Sequence, residues 1–254
     1  MGRITRRKVL GGSVAAAGAI AAVFMPIGQR PSTASADDKT TKKRHWVMAI
    51  DMRRCDGCRK CTEACQTAHK LPKTFEWIKV NEVVTKVGTR YFMPVPCQQC
   101  ENAPCLRVCP VGATFKAADG VILVDQDRCI GCRMCMAACP FGRRYFNDSD
   151  PPTFQNPFGH PTPEYPVPQQ KGTVGKCMFC VHQTEQGKLP ACVEVCSMLA
   201  LYIGDAIADV ATNGKDTVRL SEFLRNNDAW RYKEELNTGP NVYYITGHGQ
   251  DLEF

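Results

Sequence analysis

The sequence predicts an α+β protein made of two nested domains, with long loops and a C-terminal extension. The 254-residue chain contains 16 cysteines, which form four groups with repeated internal spacings. Short apolar stretches near these groups predict strands at Val47–Ile50, Tyr91–Val95 and Leu201–Ile203. The gaps between the groups are unequal, which favours pairing the two inner groups with each other and the two outer groups with each other.

The cysteines divide into four groups of four, and none of the 16 is left over. In chain order the groups are Cys55, Cys58, Cys61 and Cys65; Cys97, Cys100, Cys105 and Cys109; Cys129, Cys132, Cys135 and Cys139; and Cys177, Cys180, Cys192 and Cys196. A multiple of four suggests tetrahedral metal or cluster sites, but the count also permits disulfides. The spacing within the groups therefore has to distinguish metal or cluster sites from disulfides.

The first and third groups share the spacing C-x-x-C-x-x-C-x-x-x-C, and the third continues into Pro140. This run is typical of bacterial ferredoxins, in which the fourth cysteine ligates the neighbouring cluster. The second and fourth groups keep the same first and last intervals. Their middle interval lengthens to four and eleven residues, which an exposed loop can accommodate.

Three other uses of cysteine fit less well. Zinc sites use C-x-x-C pairs, but no histidine lies at ligand spacing here and zinc sites seldom repeat three ligands in this way. Disulfides suit an exported protein, but they do not require a repeated spacing. Haem attachment requires C-x-x-C-H, which is absent from the sequence. We therefore expect four [4Fe-4S] clusters, with all 16 cysteines as ligands.

The segments between the cysteine groups indicate which groups pair. Between the second and third groups, Thr114–Lys116 and Val121–Val124 predict a hairpin around Ala118–Gly120, a compact link between paired motifs. Nested pairing then predicts four ligand sets: Cys55, Cys58, Cys61 with Cys196; Cys177, Cys180, Cys192 with Cys65; Cys97, Cys100, Cys105 with Cys139; and Cys129, Cys132, Cys135 with Cys109. Sequential pairing, first with second and third with fourth, remains the alternative.

The N-terminal segment has the features of an export signal. Arg6 and Arg7 precede an apolar stretch from Val9 to Ile27, and the segment ends in an A-x-A pattern at Ala34–Ala36. It resembles the twin-arginine signal, which exports folded proteins with their cofactors inserted. We expect residues 1–36 to be this signal peptide and the protein to lie in the periplasm or on the outer face of the cytoplasmic membrane.

The formal net charge of +7 comes largely from this segment. Five of the 32 Lys and Arg residues lie in residues 1–36 and no acidic residue does, so 27 basic and 25 acidic side chains follow. This near balance argues against a nucleic-acid partner.

Together, the signal and the stretches CDGCRKCTEAC, CQQCENAPCLRVCP, CIGCRMCMAACPFG and CMFCVHQTEQGKLPACVEVC resemble the four-cluster electron-transfer subunits of the complex iron–sulfur molybdoenzyme family. The resemblance covers residues 45–205. It implies two ferredoxin-like domains, one of residues 45–90 plus 170–204 and one of residues 91–149. Residues 150–169 would form a Pro-rich loop and residues 205–254 the C-terminal extension.

The same resemblance implies an electron relay between a quinone-linked, multispanning membrane subunit and an exported catalytic subunit, either a molybdopterin enzyme or a multihaem cytochrome. Sixteen cysteines leave no iron of four clusters open to substrate, so we expect no catalysis by this chain itself. We also expect no membrane span of its own after signal cleavage. The alternative is a freestanding periplasmic polyferredoxin.

Other segments are less informative. Residues 221–227 and 229–236 predict helices in the C-terminal extension. Five histidines are dispersed along the chain and predict surface or structural roles. Basic residues crowd the cysteine groups and would raise cluster potentials if they lie close enough, although solvated side chains are the simpler interpretation. They are Arg53, Arg54, Arg59, Lys60, Arg128, Arg133, Arg143 and Arg144.

Overall fold

The structure is a computed structural model, and it describes residues 44–85, 88–149 and 170–246. The predicted signal peptide (1–36) and the Pro-rich loop (150–169) lie outside the described residues. Within the described ranges, no helix is long and apolar enough to cross a bilayer.

Short strands are interspersed with mostly single-turn helices. The strands are β1 (Trp46–Asp51), β2 (Lys79–Val84), β3 (Arg90–Val95), β4 (Thr114–Lys116), β5 (Ile122–Val124), β6 (Tyr145–Phe146), β7 (Val174–Gly175), β8 (Leu201–Asp205), β9 (Val210–Thr212), β10 (Thr217–Arg219), β11 (Trp230–Arg231) and β12 (Val242–Ile245). The helices are α1 (Lys60–Ala68), α2 (Pro104–Arg107), α3 (Met134–Ala137), α4 (Val181–Thr184), α5 (Ala191–Glu194) and α6 (Leu220–Asn226), and a 3₁₀ turn spans Glu234–Leu236.

A six-stranded sheet has the order β10-β9-β8-β1-β12-β11. Its central strand β1 runs antiparallel to β8 and parallel to β12. Because successive side chains of a strand point to opposite faces, Met48 and Ile50 enter the main core while Val47 and Ala49 pack on the other face. The predicted strands at Val47–Ile50 and Leu201–Ile203 thus form the centre of this sheet.

Three two-stranded sheets complete the described strands. β2 pairs with β3, which contains the predicted strand Tyr91–Val95. β4 pairs with β5, and this confirms the hairpin predicted between the second and third cysteine groups. β6 pairs with β7.

The C-terminal extension contributes four strands, β9 to β12, to the large sheet. The helix predicted at 221–227 is present as α6. The helix predicted at 229–236 is wrong, because β11 pairs there with β12 and only the short 3₁₀ turn follows. Asp228 and Lys233 have positive φ angles of 47° and 53°, which interrupt a helix, and the Trp230 ring packs 5.3 Å from that of Tyr244.

Candidate metal centre

Every cysteine group has the same backbone turn. The residue before the second cysteine has a positive φ angle in all four: 76° at Gly57, 46° at Gln99, 66° at Gly131 and 53° at Phe179. Glycine adopts this conformation readily, whereas other residues are strained in it. The turn is therefore a shared feature of the four loops, and the second and fourth loops keep it despite lacking glycine.

Each group also has the same relation to a helix. The third cysteine is the second residue of a helix in every case, with Cys61 in α1, Cys105 in α2, Cys135 in α3 and Cys192 in α5. The three four-residue helices end two residues before their fourth cysteine. In the nine-residue α1 the fourth cysteine, Cys65, still lies within the helix. The sequence repeat is thus a structural repeat of loop and helix.

Contacts between the outer groups join the first and fourth motifs. The thiols of Cys55, Cys58, Cys61 and Cys196 act on one another electrostatically. Burial, and then Cys55 and Cys196, raise the pKa of Cys61 to about 12. A second set consists of Cys65, Cys177, Cys180 and Cys192. Burial and these neighbouring thiols raise the pKa of Cys65 and of Cys192 well above the ordinary thiol value.

Contacts between the inner groups join the second and third motifs. Burial raises the pKa of Cys100 to about 12, and its thiol neighbours are Cys97, Cys105 and Cys139. The remaining four cysteines, Cys109, Cys129, Cys132 and Cys135, line one small cavity. Every predicted ligand therefore has other predicted ligands beside it, and each set draws cysteines from two groups.

The sets also adjoin one another. Cys61 of the first set acts on Cys65 and Cys192 of the second. Cys97 of the third set acts on Cys177 of the second. Arg144 lies between Cys105 of the third set and Cys135 of the fourth. These interactions link the four predicted sets in series, from the first to the fourth.

Comparison with known proteins identifies the family of the chain. A family profile described as a 4Fe-4S dicluster domain matches residues 89–154 and 161–206. The chain is 38% identical over 225 residues to a protein named as part of the selenate reductase of Mesobacillus selenatarsenatis, covering 82% of this chain and 74% of that one. It is 39% identical over 204 residues to the thiosulfate reductase electron transfer subunit of Salmonella typhi, covering 78% and 91%.

A third relative is the iron–sulfur cluster-binding subunit of menaquinone reductase from Nitratidesulfovibrio vulgaris, 35% identical over 231 residues, with 80% of this chain and 89% of that one covered. The chain belongs to the 4Fe-4S electron-transfer subunits of reductase complexes. It is accordingly the electron-transfer component of such a complex and not the catalytic one.

The 16 cysteines of this 4Fe-4S subunit are the candidate cluster ligands. All 16 cysteines lie in described ranges and are free of disulfides. Among the described residues, no three or more His, Cys, Asp or Glu side chains converge closely enough to hold a single metal ion.

Backbone amides add hydrogen bonds to some of these thiols. The N–H of Ala200 donates to Cys196 Sγ at 3.3 Å and that of Thr114 to Cys109 Sγ at 3.5 Å. Burial opposes ionisation of Cys109, but the nearby amides outweigh it and lower the pKa of that thiol. For most of the buried ligands the pKa is raised, so binding a cluster must displace protons from the thiols.

Most basic residues near the cysteines are surface side chains, as the simpler interpretation held. Arg53 pairs with Asp51, and Arg59 pairs with Glu76. Arg144 is different, because its side chain is buried beside the ligands.

One residue near the ligands was not anticipated from the sequence. His69 is buried with Nε2 3.2 Å from Cys180 Sγ, and its ring lies 4.8 Å from that of Trp77. His69 and Cys180 are 111 positions apart in the sequence, so no local pattern could have indicated this contact.

Proposed function

We propose that this subunit holds four [4Fe-4S] clusters in nested domains and relays single electrons between a quinone-linked membrane subunit and an exported catalytic subunit. The proposed ligands are the four sets described above, each with three cysteines of one motif and the fourth cysteine of its partner motif. A [4Fe-4S] cluster, when bound, takes up and releases one electron at a time. The chain's own role is to hold, space and insulate these groups.

The proposal rests on the arrangement of the four cysteine sets in series and on where their cysteines are exposed to solvent. Of the 16 ligand cysteines, only Cys58 and Cys132 are exposed. Cys58 belongs to the first set of the series and Cys132 to the last. The two inner sets contain only buried and half-buried thiols. An electron relay requires this arrangement, because partners must approach the ends while the middle is kept from solvent.

The surface at one end is apolar. Ile130 and Met134 flank Cys132 in the chain and are 64% and 54% exposed. Apolar side chains around an exposed ligand suit a protein partner that excludes water from the point of transfer. The surface at Cys58 has a different character, because Asp56, Arg59 and Lys60 are exposed beside it. The two ends therefore suit different partners.

The partners and location are inferred from the relatives and the N-terminal sequence. One relative is a menaquinone reductase subunit and two belong to selenate and thiosulfate reductases, which supports a quinone link and a catalytic partner. The catalytic partner would be a molybdopterin enzyme or a multihaem cytochrome. The twin-arginine pattern in residues 1–36 supports export in the folded state, with membrane association through the partner.

The test is chemical analysis of the complex purified without oxygen from the cell envelope. We expect about 16 iron and 16 acid-labile sulfide per chain, and interacting S = 1/2 signals in low-temperature electron paramagnetic resonance (EPR) spectra of the reduced protein. Zinc without sulfide would overturn the cluster assignment. Co-purification with a catalytic and a membrane subunit is expected, and isolation as a single chain from gently solubilised membranes would favour a freestanding polyferredoxin.

A further inference from the structure

The guanidinium of Arg144 is buried without an acidic partner. Arg144 is 4% exposed, and its Nη1 donates to Thr114 Oγ1 at 3.1 Å. Its Nε and Nη2 atoms are buried and have no oxygen or nitrogen acceptor within the part of the chain that the structure describes, so the groups left to receive them are the thiols of Cys105 and Cys135. No ion pair between described residues includes it. A buried cation in this state is strongly unfavourable unless an anion faces it.

The groups that face Arg144 are thiols from two different ligand sets. Burial opposes its charge, but Cys105, Cys135 and Cys97 together keep the pKa of Arg144 above its ordinary value. Cys97 and Cys105 belong to the third set, and Cys135 to the fourth. The guanidinium thus lies at the junction of the two sets in residues 91–149. Its planar fork carries several N–H groups and keeps its charge at any relevant pH.

We propose that Arg144 is a positioning residue that donates from its Nε and Nη2 atoms toward the clusters of the third and fourth sets and raises both reduction potentials with one shared charge. The inference rests on the proposed function, because it requires a cluster on each side. A reduced cluster carries one more negative charge than an oxidised one, so a fixed cation between two clusters stabilises the reduced state of each.

Neighbouring cations do not occupy this position. Lys176 is buried and acts on Cys105, but it also acts on Cys177, and its Nζ donates to the carbonyl oxygens of Ile122 and Cys177. Arg143 donates from Nε to the Phe141 carbonyl oxygen at 2.9 Å. Arg133 is exposed and lies over the Phe146 ring. Arg144 alone among these four acts on both Cys105 and Cys135.

The experiment compares Arg144→Gln and Arg144→Lys with wild-type complex by EPR-monitored redox titration, with iron and sulfide measured on the same samples. Arg128→Gln is the matched control, because Arg128 adjoins the ligand Cys129 in sequence but is exposed. We expect Arg144→Gln to lower two of the four midpoint potentials, each by at least about tenfold in the reduction equilibrium, which is about 59 mV for a one-electron couple. Arg144→Lys retains the charge and should keep both potentials closer to wild type.

The outcomes separate this inference from the proposed function. If wild-type complex contains four clusters but Arg144→Gln moves no potential, or moves only one, the inference fails and the relay stands. If wild-type complex lacks four clusters, the proposed function itself fails. If Arg144→Gln does not assemble, Arg144→Lys decides: recovery of iron content and of both potentials supports the role of charge, and failure equal to that of Arg144→Gln overturns it.

Discussion

His69 Nε2 lies 3.2 Å from the Sγ atom of Cys180. The imidazole is held between the rings of Trp77 and His182, with centroid distances of 4.8 and 5.2 Å. Burial, and then His182, lower the pKa of His69 to about 3, which favours the neutral form of the ring. A neutral imidazole protonated at Nε2 donates to the thiolate sulfur and stabilises the reduced state of the cluster held by Cys180.

The first prediction therefore concerns the potential of that one cluster. His69→Phe keeps an aromatic ring in the site but removes the donor. We expect the potential of the cluster held by Cys65, Cys177, Cys180 and Cys192 to fall by about 20–60 mV, the equivalent of a hydrogen bond of about 0.5–1.5 kcal/mol. Redox titration followed by EPR measures the shift.

His182→Phe is the control for packing. His182 touches the His69 ring, but its own Nδ1 makes no hydrogen bond within the described residues. Equal shifts in the two variants would mean that packing around the site, and not the hydrogen bond to sulfur, sets the potential.

The second prediction distinguishes nested from sequential pairing by iron content. Under nested pairing, Cys58 and Cys196 hold the same cluster, so Cys58→Ala, Cys196→Ala and the double variant should each lose about 4 iron per chain. The double variant Cys58→Ala/Cys109→Ala should lose about 8, because those cysteines then serve different clusters. Under sequential pairing the expected losses are exchanged: Cys58→Ala/Cys196→Ala should lose about 8 iron and Cys58→Ala/Cys109→Ala about 4. Iron analysis of anaerobically assembled protein shows which pairing is right.

Regular spacing explains why the cysteine groups and the nearby hairpin were predictable. The 2-2-3 interval and its stretched versions are local patterns, and the Ala118–Gly120 turn between two apolar runs is equally local. The roles of His69 and Arg144 depend instead on contacts between distant segments. The helix predicted at 229–236 failed for the same reason, since pairing of β11 with β12 at the sheet edge outweighs local helix preference.

The third prediction concerns the turn before the second cysteine. Gly131 and Gly142 both have positive φ angles, 66° and 61°. A Cβ atom at Gly131 would overlap the backbone oxygen of Gly172, whereas no atom lies within 4 Å of a Cβ at Gly142. Gly131→Ala should therefore cost about 1–3 kcal/mol more than Gly142→Ala, the usual range for overpacking. Thermal loss of the cluster absorbance, followed without oxygen, compares the two variants.

Both substitutions carry the same backbone strain, so Gly142→Ala accounts for that part of the cost. An equal loss of stability in the two variants would show that the loop around Cys132 can move away from Gly172. It would remove the steric reason for glycine at this position.

The fourth prediction is that iron removal unfolds the region of α2, β4, β5 and α3 before the large sheet. The core near the third and fourth ligand sets consists of Ala103, Ile122, Phe141 and Val174 together with ligand cysteines, and its helices α2 and α3 have one turn each. The sheet around β1 has a larger apolar core that includes Trp77, Phe179 and Tyr244. A region with so few apolar side chains depends on its metal groups for stability.

Hydrogen exchange read by mass spectrometry, before and after anaerobic chelation of iron, measures the difference. Peptides covering α2, β4 and α3 should lose protection at once, while those covering β1, β8 and β12 should keep much of theirs, because local stability follows buried apolar contact. Cys132→Ala provides an independent route, since it should weaken only the last cluster of the series and expose α3 without opening β1. Loss of protection in the sheet at the same rate as in α2 and α3 would show instead that the described chain unfolds as a single cooperative unit, with the clusters of both halves contributing equally to its stability.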